Sequence, residues 1–188
     1  GTVELIHILG NNGNGFLSQI GTVSFPDQPR SLACGDIDGD GDADFVLTGL
    51  LSNAIRAYES LGDGTFAAPV TGATGATIYD LALADVDGDG DLDVLRGAPS
   101  ELCLQLNDGG FSYGAQSQLG NFLETERVLA ADVDADGDAD ILTCGRDSDN
   151  AFRCFVNKGN GTFLTSRLFP QDMHSAYDIA LANVDGTG

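Results

Sequence analysis

DIDGDGDAD at Asp36–Asp44, DVDGDGDLD at Asp85–Asp93 and DVDADGDAD at Asp132–Asp140 are near-copies of one nine-residue loop. They start 49 and 47 residues apart, and a fourth, altered start at Asn183 follows after 51 more. A second element keeps the same beat: GNGF at Gly13–Phe16, GDGTF at Gly62–Phe66, DGGF at Asp108–Phe111 and GNGTF at Gly159–Phe163. Two independent motifs holding one period mark tandem repeats.

Outward from the acidic loops, short apolar runs recur. Arg30–Cys34, Ile78–Ala84, Arg127–Ala131 and Tyr177–Ala182 precede the loops, and Phe45–Thr48, Val94–Leu95 and Ile141–Thr143 follow them. A third set leads into the glycine turns (Val3–Leu9, Ala54–Glu59, Leu102–Leu106, Phe152–Val156). A fourth leaves them (Phe16–Ile20, Phe66–Val70, Phe111–Ala115, Phe163–Leu168). Short runs of branched and aromatic residues bounded by Gly, Asn and Asp predict strands and hairpins. No helix-length stretch with a 3.6-residue period competes. Asn14–Gly15, Asp63–Gly64 and Asn160–Gly161 supply the positive φ of tight hairpin turns. The Phe closing each turn is read as a core residue packed between repeats. No helix follows these glycines, so they do not cradle phosphate.

A four-stranded antiparallel sheet on this period is a propeller blade, and the fold class is an all-β propeller of about 3.5–4 blades in this chain. The divisions are a partial blade at 1–29, blades at about 30–76, 77–125 and 126–174, and a partial blade at 175–188. Such a piece leaves blade faces and edges open. The expectation is therefore an excerpt of a larger propeller, or assembly with copies of itself, rather than a closed four-bladed monomer. The chain begins at Gly1 with no signal peptide, which fits a mature form or an excerpt.

The loops carry carboxylates at their first, third, fifth and ninth positions, and the seventh can offer its backbone carbonyl. Six to eight hard oxygens in flexible geometry suit calcium. Magnesium keeps waters, and zinc seeks nitrogen or sulfur. The expected ligand sets are Asp36, Asp38, Asp40, Asp42 and Asp44; Asp85, Asp87, Asp89, Asp91 and Asp93; and Asp132, Asp134, Asp136, Asp138 and Asp140. Asn183, Asp185 and Thr187 begin a fourth set that lacks its last positions and is expected to be weak or empty. Gly41, Gly90 and Gly137 permit the sharp turn at the sixth position. Ala135 stands where the other loops have glycine, so the fourth position is expected to be less constrained. Two unit charges 4 Å apart repel by roughly 4 kcal/mol at an effective dielectric near 20, so a bound ion should stabilise the fold directly. An EF-hand would need a Glu at the twelfth position, where Leu47, Arg96 and Thr143 stand, and helices on either side.

The net charge is −21, and the three loops hold 15 of the 29 acidic residues. That charge repels nucleic acid and anionic membranes. No stretch is long and apolar enough to span a bilayer. Cys34, Cys103, Cys144 and Cys154 show no zinc or redox spacing and read as small buried residues. A Cys144–Cys154 disulfide across a hairpin is the alternative.

The DxDGDGDxD loop, followed by a strand and later by GDGTF or GNGTF, resembles the FG-GAP/VCBS repeat, the calcium-binding blade of integrin α-subunit-like propellers. The resemblance covers essentially the whole chain. It implies an extracellular or surface location and calcium in the loop between the first two strands of a blade. The carry-over gives ligand side chains from Asp36, Asp38, Asp40 and Asp44 with the Asp42 carbonyl, and the equivalent sets at Asp85–Asp93 and Asp132–Asp140. Propellers of this kind usually have about seven blades, more than 188 residues supply.

Each loop can fill its coordination from its own chain, so calcium is read as structural. The leading functional expectation is a non-catalytic extracellular recognition or adhesion module for a protein or glycan ligand. The absence of Trp weakens the glycan version, although Tyr58, Tyr79, Tyr113 and Tyr177 are present. The alternatives are the propeller part of a polysaccharide-active enzyme, such as a lyase, and a structural spacer of a surface protein. His7 and His174, the latter near Asp172, sit in no nucleophile motif. Asn160-Gly161-Thr162 forms a glycosylation sequon within a hairpin turn, where a chance match is the simpler reading.

Overall fold

A computed structural model describes residues 3–51, 53–73, 77–121, 124–146, 152–164, 167–168 and 175–182. Strands β1 (Glu4–Asn11) and β2 (Leu17–Phe25) form an antiparallel pair. β3 (Pro29–Gly35), β4 (Asp44–Gly49), β5 (Ala54–Tyr58) and β6 (Val70–Ala73) form a four-stranded antiparallel sheet in chain order, blade one. Blade two is β7 (Asp80–Ala84), β8 (Asp93–Ala98), β9 (Glu101–Asn107) and β10 (Tyr113–Asn121). Blade three is β11 (Thr125–Ala131), β12 (Asp140–Gly145), β13 (Phe152–Phe155) and β14 (Arg167–Leu168). No helix occurs among the described residues. This is propeller architecture, and the described sheets do not close into a ring.

The second strands explain why their sequences are apolar without alternation. β4, β8 and β12 are buried at every residue, because each has strands on both edges and packed side chains on both faces, the outer face of β12 being covered by Ala176 and Ile179. Side chains alternate between the two interfaces. Phe45 and Leu47 join Phe25 and Tyr58 against the first strand pair. Val46 joins Ile55, Val94 and Phe111 between blades one and two. Leu95 joins Leu102, Ile141 and Phe155 between blades two and three. Each fully buried side chain of this size contributes about 1.5–3 kcal/mol relative to exposure. The first strands pack side by side, β3 on β7 and β7 on β11.

Several expectations need correction. The fourth strands start later than the residues after each glycine turn. Phe66 and Phe163 make only single bridges to Ser60 and Asn157, and β6 begins at Val70, after Pro69, which has no N–H to give a ladder. Residues 177–182 form no strand, and the segment they would pair with, after Asn183, lies outside the described residues. Phe66, Phe111 and Phe163 do pack between blades, but Phe16 is 73% exposed. Leu5, Leu9 and Leu17, which share one side of the β1–β2 pair, carry no cover among the described residues. Among the described residues no disulfide joins the four cysteines. On the β12–β13 ladder Cys144 pairs with Phe152 and Cys154 with Leu142, so the two are out of register for a disulfide. Cys34 is also exposed rather than buried.

Candidate metal centres

Each acidic loop joins the first strand of a sheet to the second. Its own carboxylates shape it. Asp36 accepts the N–H groups of Gly39 at 2.9 Å and Gly41 at 3.0 Å, and Asp85 accepts those of Gly88 at 2.8 Å and Gly90 at 3.0 Å. Asp132 accepts Gly137 at 3.0 Å and, in place of the fourth-position N–H, Asp136 at 3.2 Å. The fifth carboxylate receives the seventh N–H in all three loops, at 2.8 Å from Asp42, 2.9 Å from Asp91 and 3.0 Å from Asp138. These side-chain-to-backbone turns wind the chain about a centre. One oxygen from each of Asp36, Asp38 and Asp40 lies within 4.8 Å of the others. Asp85, Asp87 and Asp93 converge in the same way, as do Asp132, Asp134 and Asp136.

The ninth aspartate has a second task. Asp44, Asp93 and Asp140 are at most 1% exposed. One oxygen accepts the second-position N–H of its own loop: Ile37 at 2.8 Å, Val86 at 2.9 Å and Val133 at 2.9 Å. The other accepts an N–H at the end of the third strand or just beyond it: Ser60 at 2.7 Å, Asn107 at 2.8 Å and Asn157 at 2.8 Å. The seventh side chain points elsewhere, over the glycine of the same blade's hairpin. A Cβ on Gly62 would lie 2.5 Å from an Asp42 oxygen and one on Gly109 3.2 Å from an Asp91 oxygen, and Asp138 crowds Gly159 likewise. That orientation leaves the seventh residue its carbonyl, not its carboxylate, for the loop centre.

The fourth position is constrained after all. Gly39 and Gly88 have φ of 77° and 79°, and Ala135 is held at 63°. Ala135 carries the strain of a left-handed backbone, which glycine avoids.

Crowding shows in the acidities. Desolvation raises the carboxyls of Asp38, Asp87 and Asp134 above the usual range, and their neighbouring aspartates add to the rise. Burial pushes Asp93 up to about 6 against the opposing pull of the Val86 and Asn107 N–H groups. The donor set is hard, anionic and convergent, and it fits a divalent cation of calcium's preferences.

Two asparagines were not singled out by the loop pattern. The Asn107 side-chain amide donates to Leu92 O at 3.3 Å and, across the blade boundary, to Ile37 O at 3.0 Å. The Asn157 amide donates to Ala139 O at 3.0 Å and to Val86 O at 2.7 Å. The available signal was an Asn or Ser two residues before each hairpin glycine: Asn11, Ser60, Asn107 and Asn157. Elsewhere, His7 is exposed and pairs with Gln19 at 2.9 Å. Tyr58 is buried, whereas Tyr177 is 64% exposed. His174, Asp172, Asn183, Asp185 and Thr187 lie outside the described residues.

With this geometry in hand, the sequence matches the FG-GAP-like repeat over residues 36–96 and 132–188, more than half of the chain. The chain belongs to the FG-GAP-like repeat family. No curated protein matches it significantly. Among solved structures, an Agrocybe aegerita lectin, described for specific recognition of non-reducing terminal N-acetylglucosamine, aligns at 18% identity with a TM-score of 0.64. The alignment covers 88% of this FG-GAP-like chain and 47% of the lectin, so the chain spans about half that protein's length. At that identity the likeness is one of fold. The Vibrio cholerae biofilm matrix protein Bap1 aligns at 18% identity and a TM-score of 0.46, over 87% of this chain and 30% of Bap1.

Proposed function

We propose that this FG-GAP-like chain is a calcium-stabilised, non-catalytic recognition module of an extracellular protein, with a protein or glycan ligand. The observation that carries the metal half is a shared loop shape in three repeats. In each loop three carboxylate oxygens converge within 4.8 Å, and the second, sixth and seventh N–H groups donate to the ninth, first and fifth carboxylates. A merely solvated acidic turn has no reason to keep that arrangement. Asp36, Asp38, Asp40 and Asp44, with the Asp42 carbonyl, would hold the first ion, and the equivalent residues of Asp85–Asp93 and Asp132–Asp140 the second and third. The ion would neutralise the cluster and lock the turn between first and second strands.

The recognition half is supported by family membership and by the fold shared with a lectin. Repeat folds of this kind present edges and loops for binding while the blades supply rigidity. The metal half is tested by calorimetric titration of the metal-free chain with calcium. Three bound ions are expected, and an absence of heat and of thermal stabilisation would end the reading. The ligand half is tested on arrays of neutral and acidic glycans, with a lyase assay on acidic polysaccharides alongside. Turnover in that assay would favour an enzyme instead.

A further inference from the structure

We propose that Asn107 and Asn157 are positioning residues that couple each acidic loop to the blade that follows it, so that metal affinity in one loop is set partly by its neighbour. The inference rests on calcium binding by the loops and adds which residues outside them tune it.

The geometry is directional. In the first loop, Ile37 is held through both of its backbone polar groups. Its N–H donates to Asp44 of its own loop at 2.8 Å, and its carbonyl accepts from Asn107 of blade two at 3.0 Å. In the second loop, the Val86 N–H donates to Asp93 at 2.9 Å, and its carbonyl accepts from Asn157 of blade three at 2.7 Å. Gly161 of the blade-three hairpin donates to the same carbonyl at 2.8 Å. The residue so clamped lies between the first and third aspartates, and the two peptide planes on either side of its Cα are both held, which fixes the spacing of two expected ligands.

Each asparagine also serves its own loop, through its N–H to the ninth carboxylate and its amide to the eighth carbonyl. One side chain therefore spans two loops that lie about 50 residues apart. Both are buried, Asn107 at 0% and Asn157 at 3% exposure, so these bonds are made without competition from water. Ile37 and Val86 are at most 1% exposed beneath the clamp, whereas Val133 of the third loop is 40% exposed. Blade one supplies an internal variant. Ser60 keeps the N–H bond to Asp44 but has no amide to reach across a boundary.

The test uses that variant. Each loop has a sixth-position glycine whose N–H donates to its own first carboxylate: Gly41, Gly90 and Gly137. Their NMR resonances report the three loops separately during a calcium titration of the full chain. Asn107→Ser should raise the calcium midpoint of Gly41 about fivefold, the effect of one lost buried hydrogen bond. It should also raise that of Gly90 and leave Gly137 in place. Asn157→Ser should move Gly90 and Gly137 and leave Gly41. It serves as the second variant if Asn107→Ser does not fold. An unmoved Gly41 in Asn107→Ser, or equal shifts at all three glycines, would overturn the coupling while leaving calcium binding intact. Silence of all three glycines in the unaltered chain would overturn the coupling together with the calcium reading.

Discussion

Asp80 on β7 accepts the Ser31 hydroxyl of β3 at 2.8 Å. Its other oxygen accepts the Val128 N–H of β11 at 3.0 Å, so one carboxylate fastens three innermost strands. Ser31 in turn accepts the Leu81 N–H at 3.1 Å. Asp80→Ala should cost about 2–4 kcal/mol in urea denaturation, because it strands a buried N–H as well as removing bonds. Asp80→Asn, which keeps one acceptor oxygen, should cost less. Equal stability of the alanine variant would show that the first strands do not depend on this link.

Ala135 offers a stabilising change. Its φ of 63° is one that glycine adopts freely, and the other two loops have glycine there. Ala135→Gly should stabilise the metal-free chain by about 1 kcal/mol, and Gly39→Ala should destabilise it by a similar amount. Paired chemical-denaturation curves decide the matter; a destabilised Ala135→Gly would mean that unfolded-chain entropy outweighs the backbone strain.

The repeat was legible because two motifs shared a period, and each motif has a local physical cause. Carboxylate turns shape the first, and positive-φ glycines shape the second. What sequence could not give was anything set by the neighbouring blade. Leu17 opposite Asn11 and Phe66 opposite Ser60 hold the same place after their turns, yet Leu17 is 63% exposed while Phe66 packs on Phe45 beside the β1–β2 pair. Residues 177–182 have the alternation of a first strand, but alternation yields no ladder without a partner in place. The clamp asparagines escaped notice for the same reason. Asn107 reads as one more polar turn residue until the carbonyl of Ile37, 70 residues away, is placed against it.

The two kinds of loop aspartate should separate in mutagenesis. Asp93 accepts two buried N–H groups, so Asp93→Ala should destabilise the chain even in chelator, by about 2–3 kcal/mol. Asp87 accepts the exposed Asp89 N–H, at 3.4 Å, and adjoins several like charges. Asp87→Asn should therefore leave the metal-free melting temperature unchanged or slightly raised, while removing much of the rise that calcium produces. Melting curves with and without calcium for both variants check this. Parallel losses in the two conditions for Asp87→Asn would place that side chain in the fold rather than at an ion.

Alkaline pH should weaken the fold through its buried thiols. Burial pushes Cys144 up from its ordinary 9.0 to about 11. Asp178, Glu126 and Asp80 nearby add to the rise, and Arg127 opposes it. The unfolded chain therefore gives up this proton from pH 9 upward, while the folded chain keeps it. Stability from this group is complete below pH 9 and is lost as pH climbs towards 11. The melting temperature should fall across that window, and Cys144→Ala should flatten the fall after its own constant loss of packing. The same burial predicts that a thiol reagent at pH 8 labels Cys34 at once, and Cys103, Cys144 and Cys154 only as the chain opens. Rapid labelling of all four in the native state would contradict the packed interfaces on which the alkaline effect depends.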